Sequence, residues 1–443
     1  MIKRAKKLIE KVWTHKGLRH YGANTTWLFA EKAVRMVIGL VVGIYVARQL
    51  GPAQYGLLNY AISFVSIFSV IAGLGLDQIV IRELVKYPEK RNKLLGSTLA
   101  MKFAGFILML AGIWIALYFS SNDHSTNLIV LVIAAGYLFQ IFQTIDFYFQ
   151  AQVLSKYVAI SQIIAWSLVS ACRAFCAWQG YPLIYFAWLE AINMCLMSSG
   201  YLFFYIIKVS HPFHWRFDFN LSKELFKNSW PLFLSTGAVA IYMRIDQVMI
   251  KSMLGDTEVG YYAVALRLVE LWYFVPVIIC SSLFPSIVRA KEISKEHYNH
   301  RLQMLFTLMI WLAIAIALGM TLAGPYIIKW LYGTQYVNAI PILLIYNWNL
   351  VFLFARIARA KWIITENLVH WALYCSVGGA IINVILNYIL IDYMGVTGAA
   401  VSTLISQFAV VFAIPLSSRK NRETCIFIIR AFFPLEYLKK LFK

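Results

Sequence analysis

Leu50-Gly51-Pro52-Ala53-Gln54-Tyr55-Gly56 separates two apolar stretches, near residues 24–47 and 55–79. Each has the roughly 20 residues that a helix needs to cross a hydrocarbon core of about 30 Å. Lipid offers the backbone no hydrogen-bond partners, so such stretches become helices. Glycine adopts positive φ without steric cost, so Gly51 and Gly56 suit a tight helix-to-helix corner on the outer face. The same L-G-x4-G spacing returns at Leu254-Gly255-Asp256-Thr257-Glu258-Val259-Gly260. Outward from these two corners, further apolar stretches lie near 96–119, 127–150, 157–178 and 183–207, then near 229–253, 260–286, 302–324, 339–362, 368–391 and 396–416. The pattern predicts an all-α membrane protein of about twelve transmembrane helices in two six-helix lobes. Six is even, so both lobes enter the membrane in the same direction and the repeat is parallel, an arrangement that places a substrate site near the midplane between the lobes.

Composition agrees with lipid as the main solvent. Of 443 residues, 61% are hydrophobic and only 14% charged, against about a quarter charged in soluble domains. No loop is long enough for a soluble catalytic domain, and no G-x-x-x-x-G-K-[ST] run is present to bind ATP. The net charge of +20 is explained by loop sorting rather than by nucleic acid. About three quarters of the Lys and Arg fall on the N-terminal segment, the even-numbered loops and the tail, so both termini are expected in the cytoplasm. Only Arg48, Lys251 and Lys329 fall on the opposite side.

The division that follows is a basic amphipathic leader (1–23), an N-terminal lobe (24–207), a cytoplasmic linker (208–228), a C-terminal lobe (229–416) and a basic amphipathic tail (417–443). Lys3, Arg4, Lys6, Lys7 and Lys11 in the leader, and Leu435, Leu438, Lys439, Lys440 and Leu441 in the tail, are read as lying on anionic lipid. No cleaved signal peptide is expected. The six cysteines show no metal or disulfide spacing and are read as packing residues. His211 and His214 in the linker read as a solvated turn, not a metal site. No cofactor is expected.

Ionisable residues inside a span are costly, about 2.5 to 3.5 kcal/mol on insertion scales, and are therefore candidates for function. Lys32, Arg35, Arg173, Arg244, Arg267, Arg356 and Arg359 stand with Glu31, Asp146, Glu190, Asp246 and Glu270. Helical spacing pairs Glu31 with Arg35 and Arg267 with Glu270. It aligns Gln162, Trp166 and Arg173 on the fifth span and Gln140, Gln143, Asp146 and Gln150 on the fourth. Arg244 and Asp246, two positions apart, point differently. Lys32 and Arg359 read as snorkelling cations. Guanidinium groups match phosphate oxygens bidentately and stay charged, so Arg35, Arg173, Arg244, Arg267 and Arg356 suggest a cavity for an anionic headgroup. Glu31, Asp146, Asp246 and Glu270 are the candidate ion-coupling acids.

Trp27, Glu31-Lys32, Ala47-Arg48-Gln49-Leu50-Gly51-Pro52, Tyr55-Gly56, Gly73-Leu74-Gly75-Leu76 and Arg82-Glu83-Leu84 resemble the opening of the polysaccharide-unit (O-antigen) flippases of the multidrug/oligosaccharidyl-lipid/polysaccharide exporter superfamily. The likeness of span lengths and mid-chain linker extends over the chain. The resemblance implies a substrate made of an oligosaccharide joined by a diphosphate to a polyprenyl lipid, a bacterial cytoplasmic (inner) membrane location, and partnership with a polysaccharide polymerase and chain-length machinery. Trp166, Trp188, Trp272 and Trp348 offer rings on which sugars could stack, although tryptophan in such spans more often serves as interfacial belt or packing. Competing readings are a small-molecule antiporter, whose cationic cargo favours acidic cavities, a membrane glycosyltransferase or polymerase, which would need catalytic outer loops beyond Asp123, Asp256, Glu258 and Asp392, and a non-transporting scaffold.

Overall fold

The computed structural model describes residues 16–366 and 368–433; the leader positions Lys3 to Lys11 and the tail positions Leu435 to Leu441 lie outside them. Every regular element among the described residues is helical. Ten segments are long and apolar enough to cross a membrane. The first two predicted spans form one 58-residue helix, Lys16–Gly73, broken at Gly51, whose φ of 72° is followed by Pro52 with no N–H to donate. The predicted seventh span lies in the 36-residue helix Phe219–Leu254, which carries Arg244, Asp246, Gln247 and Lys251 and falls outside those ten. Ten residues of the predicted linker, 219–228, are already helical.

Several spans are interrupted. The helix ending at Gly73 resumes at Asp77 after Leu74 and Gly75, with φ of 53° and 65°. A side chain at Gly75 would sit 2.5 Å from Phe233 N, so close approach as well as φ requires glycine there. The fourth span divides into His124–Gly136, a 3-10 turn Phe139–Gln143 and Thr144–Ala151. Asp256–Glu270 gives way to Phe274–Ile293 before Pro276, which takes a first-turn position where its missing N–H costs nothing, and Pro285 lies inside the second helix without ending it.

By their contacts the residues divide into two units: Phe64–Thr236 with the described residues before Gly51, and Gly51–Ser63 with Gly237 onward. In the first, Leu76, Leu84, Leu94, Phe147, Phe149 and Tyr205 pack into a core with Leu225. The linker is latched to the start of the helix Arg91–Tyr118. Arg216 N donates to Asn92 O at 3.0 Å, and Lys93 Nζ is 3.1 Å from Asp218 Oδ2. Asp218 Oδ1 also accepts from Leu221 N at 3.1 Å, satisfying an orphan donor of the following helix. That bond and the Lys93 ammonium hold the Asp218 carboxyl below its ordinary value.

In the second unit the two glycine corners meet each other. Gly51 and Gly255 have φ of 72° and 99°. A Cβ at Gly56 would sit 1.8 Å from Asp256 O, and one at Gly260 would sit 2.1 Å from Pro52 O. Tyr55 and Tyr261 both meet the Tyr336 ring edge-on, at 6.4 and 6.3 Å. The helix Arg422–Phe432 docks along Lys295–Ile327: Gln303 Nε2 donates to Phe427 O and Trp311 Nε1 to Ala431 O, both at 3.0 Å, while Phe306 stacks on Phe427. Amides and indoles thus tie the tail helix to a span, where apolar burial alone gives little discrimination against lipid.

Candidate binding and coupling sites

In the first unit an alternating series of acids, cations and a ring links three helices. Glu31 and Arg35 are one turn apart on Lys16–Gly73, with Arg35 Nε 3.2 Å from Glu31 Oε1; the carboxylate is buried and the guanidinium 41% exposed. Such a pair contributes about 0.3 to 0.5 kcal/mol on an exposed helix. Removing the cation from a buried carboxylate costs on the order of 3 kcal/mol. The Arg35 guanidinium also lies 6.0 Å from the Trp166 ring centroid, and Arg173, two turns further along Ser155–Gln179, lies 5.6 Å from the same ring. Arg173 Nη2 then meets Glu190 Oε1 at 2.7 Å. The guanidinium groups therefore occupy the surface of Trp166 that was read as a sugar platform, an attraction of about 0.5 to 2 kcal/mol each. Gln162 turns to Tyr201, donating to its hydroxyl at 2.8 Å.

The second unit holds the other three arginines. Arg244 Nη1 is 3.7 Å from Glu270 Oε1, across two helices. Arg356 lies over the Tyr242 ring at 5.7 Å. Tyr273 is within electrostatic reach of Glu270, Arg356 and Arg244 and shares a 3.5 Å contact with the Tyr346 hydroxyl. Arg267 is exposed. Arg359 does not snorkel: it is 2% exposed and donates to Val410 O at 3.0 Å and Val411 O at 3.4 Å. Those carbonyls belong to the π-helical turn Ala409–Ala413, whose altered pitch frees acceptors for the guanidinium.

Two further acids are deeply buried. Asp146 accepts from Gln150 Nε2 at 3.0 Å. Asp246 accepts from Tyr262 Oη at 2.5 Å, Asn387 Nδ2 at 2.6 Å and Thr403 Oγ1 at 2.7 Å. Each donor comes from a different helix, and hydrogen bonds to a charged group are worth about 1.5 to 3 kcal/mol. Asn387 Nδ2 also reaches Asn383 Oδ1 at 3.2 Å, while Asn387 Oδ1 is buried without a partner. This is a set of hard oxygens around one carboxylate, the chemistry that takes an alkali cation or a proton.

Two features escaped sequence reading. Charge sorting leaves Lys102 with the loop cations, yet it is 3% exposed, with Nζ 3.0 Å from Gln143 Oε1 and 4.6 Å from the Phe147 ring centroid. Its place inside the predicted 96–119 span was the available signal. The donors around Asp246 were also missed, although Asn383 and Asn387 stand one turn apart in an apolar span. Among the described residues no three His, Cys, Asp or Glu gather to hold a metal.

The profile of the family described as "Polysaccharide biosynthesis protein" matches residues 21–291, and that of MatE matches 231–389. The chain is 22% identical to a putative O-antigen transporter of Shigella dysenteriae, over 88% of this chain and 97% of that protein. Among solved structures, an inward-facing multidrug resistance MATE family transporter of the MOP superfamily aligns with a TM-score of 0.68 at 13% identity, over 92% of this chain and 96% of the other. Lipid II flippase MurJ, in an inward closed conformation, aligns with a TM-score of 0.67 at 17% identity, over 94% and 92%. The fold is that of these transporters.

Proposed function

The chain belongs to the polysaccharide biosynthesis protein family, and from that premise we propose that it is a flippase, not an enzyme. Its substrate in this reading is an oligosaccharide unit on a polyprenyl diphosphate, moved across the cytoplasmic membrane by gradient-driven alternating access. The observation that carries the reading is the set of guanidinium groups placed on apolar spans and steadied by rings and acids. Arg35 in the first unit, and Arg244 and Arg267 in the second, each retain exposure and are able to take phosphate oxygens. Arg173, held by Glu190, and Arg356, over Tyr242, would act deeper or as alternative partners. Asp246 would be the coupling acid, since it is buried among neutral donors with no basic side chain paired to it among the described residues, a setting in which a proton or alkali cation can be taken up. Glu31 and Glu270 are engaged by arginines, which suits them to positioning rather than coupling. The lobes would be six helices each, with both termini in the cytoplasm, and a polymerase with its chain-length machinery would receive the product.

Reconstituted vesicles test this. The protein should move a fluorescent polyprenyl-diphosphate sugar to the opposite leaflet. Arg35→Ala with Arg244→Ala should slow transport by about 100-fold or more, each lost charged contact being about 1.5 to 3 kcal/mol. Failure of the wild-type protein to move the lipid, or a double variant with unchanged flux, would overturn the reading. Movement of lipophilic cations instead would identify a drug antiporter.

A further inference from the structure

The first unit contains a cavity of about 220 Å³ at the break between Gly73 and Asp77. It is far larger than the roughly 10 to 15 Å³ that one water needs by such a measure, and it belongs to none of the arginine groups above. Asp77, Lys102, Gln140 and Gln143 line it, with the hydroxyls of Ser69 and Thr236. Lys102 commits one of its three donors to Gln143 Oε1. Ser69 and Thr236 donate to the Ser66 and Leu232 carbonyls at 2.7 and 2.9 Å, leaving oxygen lone pairs to accept. Asp77 adds a carboxylate and the glutamines add both kinds of group.

The balance of these groups identifies the ligand class. A phosphate asks for donors only, and a metal cation for acceptors only; a hydroxyl asks for both. The Lys102 ammonium is offset by the Asp77 and Asp146 carboxylates acting on it, so the wall has no surplus positive charge for an anion. We infer that this cavity is a sugar subsite, taking one neutral, hydroxyl-rich ring of the substrate headgroup through Lys102, Gln140, Gln143 and Asp77. The inference rests on the flippase reading, which it deepens by separating sugar recognition from diphosphate recognition.

Two lipids distinguish the readings on full-length protein in nanodiscs: a polyprenyl diphosphate bearing one neutral hexose, and the same diphosphate without sugar. The wild type should bind the glycosylated lipid about tenfold or more tighter, roughly 1.4 kcal/mol or above. Gln143→Leu and Lys102→Met should lower that affinity to the sugar-free level while leaving the sugar-free dissociation constant in place. Ser69→Leu, which narrows the cavity and alters no charge, should do the same, and thermal unfolding confirms that each variant is folded. Equal affinity of the wild type for both lipids, or equal losses for both lipids in the folded variants, overturns the subsite. Failure of the wild type to bind either lipid overturns the flippase reading and the subsite with it.

Discussion

Asp146 in the first unit and Asp246 in the second are both buried carboxylates on helices, and their surroundings compensate them differently. Asp146 accepts one hydrogen bond, from Gln150, and lies in the field of the Lys102 ammonium. Asp246 accepts three hydrogen bonds from neutral groups and makes no ion pair among the described residues. Asp146 shares the Lys102 ammonium with Asp77, so a fixed cation already answers part of its charge. A carboxylate surrounded only by dipoles has no fixed counter-charge, and its neighbours can turn toward an arriving ion. On the proposed reading, coupling falls to the second unit and a fixed electrostatic role to the first.

The largest effect should come from Asp246. Asp246→Asn should abolish gradient-driven transport in vesicles while the protein still folds. Asn387→Leu, which strips one donor from a buried charge, should lower the unfolding free energy by about 2 to 3 kcal/mol in a reversible denaturation assay. Transport by Asp246→Asn at the wild-type rate would break the comparison.

A smaller effect is expected in the first unit. Lys102→Met should cost about 1 to 3 kcal/mol by leaving Asp146 less compensated. Adding Asp146→Leu should recover most of it, because replacing both partners by apolar groups of similar size is often neutral. A double-mutant cycle measures this directly, and strict additivity would mean that the two residues do not compensate each other.

The smallest effect belongs to an acid in water. Asp218 has its carboxyl held below the ordinary value, first by the Leu221 N–H and then by Lys93. Its stabilising contribution is therefore complete above the ordinary carboxylate range near pH 4 and is lost only as pH falls through the lower folded value. Hydrogen exchange at the start of Phe219–Leu254 should be unchanged between pH 8 and 5 after correction for intrinsic rates, and should quicken below pH 4. Asp218→Asn keeps the cap and should leave the melting temperature almost unmoved.

The helices were legible because lipid leaves the backbone one solution, and the corners were legible because positive φ selects glycine. Partner choice was not. Glu270 stands one turn from Arg267 in the sequence, yet it meets Arg244 from a neighbouring helix. Trp166 offered a ring for sugars, and two arginines cover it. Both outcomes depend on how helices rotate against one another, which spacing within a single helix does not encode. Arg359 was misread because a π-turn that frees carbonyls leaves no mark on hydropathy. Lys102 was misread because a tally by loop overrode its position within a span.

The crossing of Gly56 with Asp256 and Gly260 with Pro52 has a consequence for how this chain can vary. Each glycine is packed against the backbone of the other corner, Gly56 against Asp256 and Gly260 against Pro52, so the two corners are constrained together. Drift that enlarges either copy is blocked by the backbone of its twin, and enlarging the second copy as well deepens the clash instead of relieving it. The two halves are free to diverge along their helices, but at this point they are tied to a shared alphabet of one letter.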